Sequence, residues 1–205
     1  MTCPKIGIEQ NKKLTSLKKE IFRKSIHICT IFVPVFAHFF KIPVLLLLTF
    51  AVIFYFISEI LRQKGIIIPL ISLVTVTASR KRDENKIVLG PITLVLGIVF
   101  SLLLWQEPYS TAGIFALALG DGFASLAGKT FGTIQIPFSG GKTADGSLTC
   151  FFAIFVSSFL VLKNAGLSLI LGIVGVVIEV LPLKDFDNLL IPIVIGGIAQ
   201  YLSMI

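Results

Sequence analysis

Charge is what this sequence has least of. Only 14% of its 205 residues are charged, and just 11 are Asp or Glu. A soluble globular domain carries about 25% charged residues. Here 55% of the chain is hydrophobic, which places it in a bilayer and leaves few acids to act as solubilising surface. Cysteine is scarce as well. Cys3, Cys29 and Cys150 are odd in number and lack metal-ligand spacing, so a disulfide framework is excluded and they read as small apolar side chains. No secretory leader is legible: residues 1–25 are polar and basic, and no small-residue cleavage site follows an apolar core. The first apolar run is therefore expected to remain as a span. No internal repeat or low-complexity tract is present. The net charge of +7 is distributed along the chain rather than gathered on one soluble face. That excludes nucleic acid as a partner and points to anionic lipid head groups.

What the sequence has is apolar runs. Residues 9–24 read as a basic amphipathic helix on the membrane surface, the core of an N-terminal segment 1–25. Runs at 26–40, 42–61, 66–79, 87–105, 109–127, 147–162, 165–183 and 188–204 follow, forming one polytopic domain over 26–205. The 66–79 run is about fourteen residues long, holds Pro69 and is short of the roughly 20 residues a span needs. Placing it in the interface, or re-entrant, leaves seven spans with the N-terminus in the cytoplasm. Sixteen basic residues then lie inside and only Lys41 and Lys163 outside. Making it a span reduces the bias to ten against eight. The expected fold is all-α, with about seven transmembrane helices and an interfacial helix. The short links at 41–43, 106–108 and 163–164 favour antiparallel neighbours. The unusual polar residues then gather on the inner face, within reach of a cytosolic nucleotide.

The most informative stretch is 119–147, LGDGFASLAGKTFGTIQIPFSGGKTADGS. Asp121, between Gly120 and Gly122, sits inside an apolar run, and an intramembrane carboxylate is expensive enough to signal function. Beyond Gly128 the chain becomes a Gly-, Thr- and Ser-rich loop with Lys129 and Lys142. Close backbone approach, free N–H groups and positive charge are what polyphosphate binding needs. Mg²⁺ is the natural partner for Asp121, because it binds through one or two carboxylates plus substrate phosphates. The Ser139–Thr143 segment is not a Walker P-loop: the required glycine five positions before Gly141 is Ile136. Lys142 can still hold a phosphate as a point charge. Asp145 reads either as a metal ligand or as the cap of the next helix.

Four further groups carry two readings or a bland one. Glu20, Arg23, Lys24 and His27 share one helical face, which is either a solvated basic face or a cationic rim for phosphates. Glu59 either snorkels and pairs with Arg62 or contributes to the site. The run Arg80–Lys86 reads as solvated loop and head-group contact, with Arg82 and Glu84 at the entrance. His38 reads as an interfacial histidine near Lys41.

Gly120-Asp121, Ala124, Gly128, Phe131-Gly132, Lys142-Thr143 and Gly146-Ser147 together resemble the membrane-embedded CTP-dependent lipid kinases: the dolichol, phytol, farnesol and diacylglycerol kinases. The Glu20…Arg23-Lys24…His27 start and the ending Glu179, Asp187-Asn188 and Pro192 fit the same pattern, so the resemblance covers most of the chain. It implies that CTP donates its γ-phosphate, with Mg²⁺, to the hydroxyl of a bilayer lipid. Asp121, Lys142, Glu179 and Asp187 are then expected to be catalytic, with Asp121, Glu179 and Asp187 as metal ligands. Gly120, Gly128, Lys129, Gly132, Gly141, Thr143 and Gly146 would bind nucleotide, with Arg23, Lys24, His27 and Asn188. Glu20, Glu59 and Asp145 are further candidates. The phosphatidate cytidylyltransferases share the glycine-lysine half-motif, but their His-Gly-Gly and Asp-Arg ending is missing here. A small transporter is the reading from a different class. Against it, the acids lie near one face rather than at the midplane. The sequence leaves the lipid acceptor and the oligomeric state open.

Overall fold

The computed structural model describes residues 4–66 and 87–204, with side chains from residue 17 onward. The interfacial helix expected near 66–79 and the charge run 80–86 thus lie, apart from Ile66, outside the described residues. The described chain is helical, with a single antiparallel bridge between Gln135 and Thr143. We number the helices α1 (Pro4–Cys29), α2 (Phe32–Gln63), α3 (Gly90–Leu104), α4 (Tyr109–Phe115), α5 (Gly122–Thr130), α6 (Ala144–Leu162), α7 (Ala165–Val180) and α8 (Asp187–Ser203). A π-helical turn, Ala116–Asp121, joins α4 to α5, so 109–130 is one helix with a wide turn in its middle.

Phe32–Gln63, Tyr109–Thr130 and Ala144–Leu162 are long and apolar enough to cross a bilayer. The helices α3, α7 and α8 are apolar but shorter, at 15, 16 and 17 residues. At 1.5 Å per residue they span about 22–26 Å. The first expected span, 26–40, is not one uninterrupted helix. The chain turns at Thr30-Ile31, between α1 and α2, and leaves helical geometry at Phe40 (φ −136°, ψ 56°). The expected 41–43 link is therefore a kink. Pro43 supplies the reason: it has no N–H to donate, and its ring crowds the carbonyl four residues earlier, at Phe39.

Local chemistry sets the other boundaries. Thr143 caps α6 by accepting from Gly146 N at 3.2 Å, and Asn164 caps α7 by accepting from Leu167 N at 3.0 Å. Lys163, in left-handed conformation (φ 55°), makes the two-residue link between them. Capping was one of two readings for Asp145, and the structure corrects it. Asp145 already lies in the first turn of α6, where it accepts from Thr133 N at 3.0 Å and ties the preceding loop down.

The helix α8 runs through the centre, packed by α3, α4 and α7, with Ile191, Ile195 and Ala199 buried. Pro192 deprives the Asn188 carbonyl of its usual helical donor. A Cβ at Gly97 would strike that carbonyl, so glycine there lets α3 and α8 cross closely. Near the start of α3, Glu59 is fully buried rather than snorkelling. Its carboxylate takes two hydrogen bonds from Arg62, at 2.7 and 3.0 Å, and one from Val88 N at 2.9 Å. Glu59 thereby anchors the chain where it re-enters the bundle. At a distant site His38 pairs with Glu107 at 2.8 Å.

Candidate active site

Helices α1, α5, α6, α7 and α8, the π turn and the 131–143 hairpin together build one cleft of about 330 Å³. The first wall is α1. Its Glu20, Lys24 and His27 are buried against α5 and the π turn rather than solvated. Opposite stand Asp121, Ser125 and Lys129, four residues apart and therefore on one face of α5. The π turn adds one residue to a helical turn, so it rotates every side chain beyond it by about 100° relative to those before. Asp121 is the last residue of that turn.

The pairing across this wall is specific. Lys24 Nζ donates to Asp121 Oδ2, and His27 Nδ1 lies 3.1 Å from the same oxygen without a well-aligned hydrogen bond. Lys24 is only 2% exposed. Glu20 accepts from Arg23, Ser125 and Lys129. Burial alone would raise the Glu20 pKa. The Arg23 charge and the hydrogen bonds from Lys129 and Ser125 overcome this and hold it at about 2. Arg23 Nε is buried with no hydrogen-bond partner among the described residues.

The second wall is the 131–143 hairpin. Ile136 N donates to Lys142 O and Ala144 N to Ile134 O, both at 2.9 Å. Ser139 Oγ donates to Ile136 O at 2.7 Å and accepts from Lys142 N at 3.1 Å. Gly140 and Gly141 take φ of 73° and 97°, left-handed geometry that glycine adopts without steric cost. They line the cleft, and Lys142 reaches across it. Its Nζ lies 3.1 Å from Glu179 Oε1 on α7 and 3.5 Å from Asp187 Oδ2 on α8. Burial pulls the Lys142 pKa down, but the charges of Glu179, Asp187 and Asp121 outweigh it and raise the pKa. Ser147 donates to the second Glu179 oxygen at 3.0 Å.

Most of the sequence candidates meet here: Glu20, Arg23, Lys24, Asp121, Gly128, Lys129, Gly141, Lys142, Thr143, Gly146, Glu179 and Asp187 all line the cleft. His27 stands behind Asp121. Besides His27, five others do not line it. Gly120 packs on α6, where a Cβ would lie 2.7 Å from Ile154. Gly132 packs against Thr143. Asn188 Nδ2 lies 3.4 Å from Thr93 Oγ1, turned toward α3. Glu59 serves the α2–α3 junction and Asp145 the hairpin. Gly128 and Gly146 have a packing role as well as a lining one. A Cβ on Gly146 would stand 2.9 Å from the Ala124 carbonyl, where α5 and α6 cross. The candidates omitted Gly140 and two polar lining residues, Ser125 and Lys184. The signal for Ser125 was its position one turn beyond Asp121. For Lys184 it was its place between Glu179 and Asp187.

The lining therefore carries five cations (Arg23, Lys24, Lys129, Lys142, Lys184) and four carboxylates (Glu20, Asp121, Glu179, Asp187). Among the described residues no three His, Cys, Asp or Glu side chains gather closely enough to hold a metal by themselves.

Comparison with known proteins gives the site its context. The chain is 30% identical over 152 residues to phytol kinase 1, chloroplastic, of Arabidopsis thaliana, covering 64% of this chain and 49% of that protein. It is 26% identical over 140 residues to the farnesol kinase, chloroplastic, of the same plant, covering 60% and 46%. It is 30% identical over 135 residues to the dolichol kinase of Mus musculus, covering 55% and 25%. The chain thus spans about half the length of the plant relatives and a quarter of the dolichol kinase. No family model matches it, and no solved structure gives a significant match. By sequence the chain is a homologue of the phytol, farnesol and dolichol kinases.

Proposed function

We propose that this chain is a CTP-dependent lipid kinase that transfers the γ-phosphate to the hydroxyl of a bilayer lipid, a prenol such as phytol or a polyprenol, or diacylglycerol. The observation that carries the reading is the cleft itself: lysines and an arginine interleaved with carboxylates, in a homologue of lipid kinases. CTP as the donor rests on the family resemblance alone. We place the N-terminus and the cleft on the cytoplasmic side of a seven-span bundle, following the distribution of basic residues.

In this reading Lys142 and Lys129 exchange carboxylate partners for phosphate oxygens. Without ligand, Lys142 neutralises Glu179 and Asp187, and Lys24 neutralises Asp121. Incoming phosphate oxygens take Lys142, Lys129 and the unpartnered Nε of Arg23 as donors, while the backbone at Gly140 and Gly141 leaves room for close approach. Glu179 and Asp187 are thereby released from Lys142 and Glu20 from Lys129, while Asp121 stays paired to Lys24 through Oδ2 and keeps its second oxygen available. This donor set fits Mg²⁺, which needs only one or two carboxylates once phosphates complete its shell. Asp121, with Glu179 or Asp187, would hold it, and bound Mg²⁺ supplies neutralisation of phosphate charge. One released carboxylate accepts the proton of the lipid hydroxyl. The lipid oxygen then bonds to the γ-phosphorus, the bond from that phosphorus to the bridging oxygen breaks, and CDP leaves. Such transfer depends mainly on positioning and charge stabilisation.

The test uses the purified chain in lipid micelles with Mg²⁺ and CTP labelled at either the α or the γ phosphate. Phytol, undecaprenol, diacylglycerol and phosphatidate are offered in turn. Label from the γ position alone, with CDP released, is expected. Label from the α position on phosphatidate, with pyrophosphate released, would make the chain a cytidylyltransferase. No transfer by protein that binds CTP would send the reading to a transporter.

A further inference from the structure

We propose that the 131–143 hairpin is a membrane-insertion device. Its tip, Phe138, sinks into the bilayer at head-group depth and sets the height at which the adjoining cleft meets lipid. The inference rests on membrane placement and geometry, not on the identity of the reaction.

Phe138 is doubly unfavourable as it stands. It is 98% exposed, more than any other described phenylalanine, Phe131 being next at 76%. Its φ is 60°, a left-handed conformation that costs a bulky side chain and suits glycine. A turn selected only for its shape would carry glycine or asparagine there. Among the described residues nothing covers the ring, whereas burial in an apolar phase would offset the cost. Nor can the tip collapse onto the protein. The four hydrogen bonds between 134 and 144 described above hold it out.

The apolar phase is identified by continuity. The hairpin connects 109–130 to α6, two helices able to cross a bilayer, so it lies at the membrane boundary. Leu148, Phe152 and Val156 on α6 are each more than half exposed and recur every four residues, forming one lipid-facing stripe. Phe131 and Ile134, on the same hairpin, are also exposed. An aromatic side chain at the end of a spanning segment belongs at head-group level. Gly140 and Gly141, two and three residues beyond Phe138, line the cleft. The depth of the tip therefore fixes the depth of the cleft.

The test places a nitroxide on Phe138→Cys in the full chain reconstituted in phosphatidylcholine–phosphatidylglycerol vesicles. Cys3 and Cys29 are changed to serine, and buried Cys150 is kept. Collisions with oxygen, which concentrates in lipid, are compared with those of a water-soluble nickel chelate. Labels at Leu46→Cys, on the exposed face of α2, and at Lys19→Cys, on the exposed face of α1, give the lipid and water references. The ratio at 138 is expected to lie between the two references, raised above Lys19 and below Leu46, as head-group depth requires. A ratio matching Lys19 would overturn the proposal, as would a label reached by neither reagent. A water-exposed label that is protected only when CTP is added would instead make the tip a cover for the nucleotide, and would also overturn it. Phe138→Trp, with all cysteines retained, gives a second readout. Lipids brominated near the head group should quench the added fluorescence, and its persistence would count against insertion.

Discussion

Asp121→Asn tests the buried pair at the heart of the cleft. The change removes the carboxylate that Lys24 donates to, and Lys24 is 2% exposed. If the pair were a surface ion pair the loss would be about 0–1 kcal/mol. For a buried pair, removal of one partner leaves an uncompensated charge and costs about 3–5 kcal/mol. Burial decides for the larger figure. Lys24→Met should cost less than Asp121→Asn, because His27 lies 3.1 Å from the abandoned carboxylate and can protonate to replace the lost charge. The double variant should recover most of the loss, since neither charge then remains buried alone. Equilibrium unfolding in mixed micelles, followed through Trp105, the chain's one tryptophan, measures all three. If the costs simply add, or if both single variants unfold with the wild type, Lys24 and Asp121 do not form a buried pair and α1 is not docked as described.

Other expectations follow from the same geometry. Glu20 has a folded pKa of about 2 against 4.5 for the free group, so its contribution is present above pH 4.5 and is lost as pH falls toward 2. Glu20→Gln should flatten that acid limb, and an unchanged stability–pH curve would count against the network with Arg23, Lys129 and Ser125. Lys142→Gln removes the cation that, among the described residues, touches both Glu179 and Asp187. Turnover should fall by about a hundredfold or more, the scale of several kcal/mol of lost charge stabilisation. A change confined to KM would instead assign Lys142 to uniform nucleotide binding. Gly146→Ala places a Cβ 2.9 Å from the Ala124 carbonyl, so α5 and α6 must separate. A cost of about 1–3 kcal/mol is expected on the scale of core overpacking, read as a lowered unfolding midpoint. Ala at Gly141, where a Cβ meets nothing within 4 Å, should instead show the strain of its φ of 97°. It should impair nucleotide binding more than packing.

Most of the residues that line the cleft were legible in the sequence. A carboxylate in an apolar run is costly wherever the run folds, so Asp121 and Glu179 announce themselves by local composition. The glycine-lysine loop and the Asp187-Asn188 pair are visible for the same reason, as polar groups placed where apolar ones would be easier. Helical periodicity was enough to put Glu20, Arg23, Lys24 and His27 on one face. The sequence also set the apolar runs, and Pro43 carried the cause of the kink at Phe40. Which cation meets which carboxylate was not legible, because Lys24 and Asp121 are 97 residues apart and pairing depends on how α1 docks. The π turn was hidden as well, since residues 111–120 are small or apolar all round and offer no polar stripe to show the shift of about 100°. It rotates Asp121, Ser125 and Lys129 together. The glycines divided only in three dimensions. Gly140 and Gly141 open the cleft with left-handed backbone, whereas Gly120, Gly132 and Gly146 sit where another element would strike a Cβ. Sequence thus determined which groups are expensive to bury. Tertiary structure decided how each is compensated, because compensation acts over a few ångströms between segments the chain itself keeps far apart.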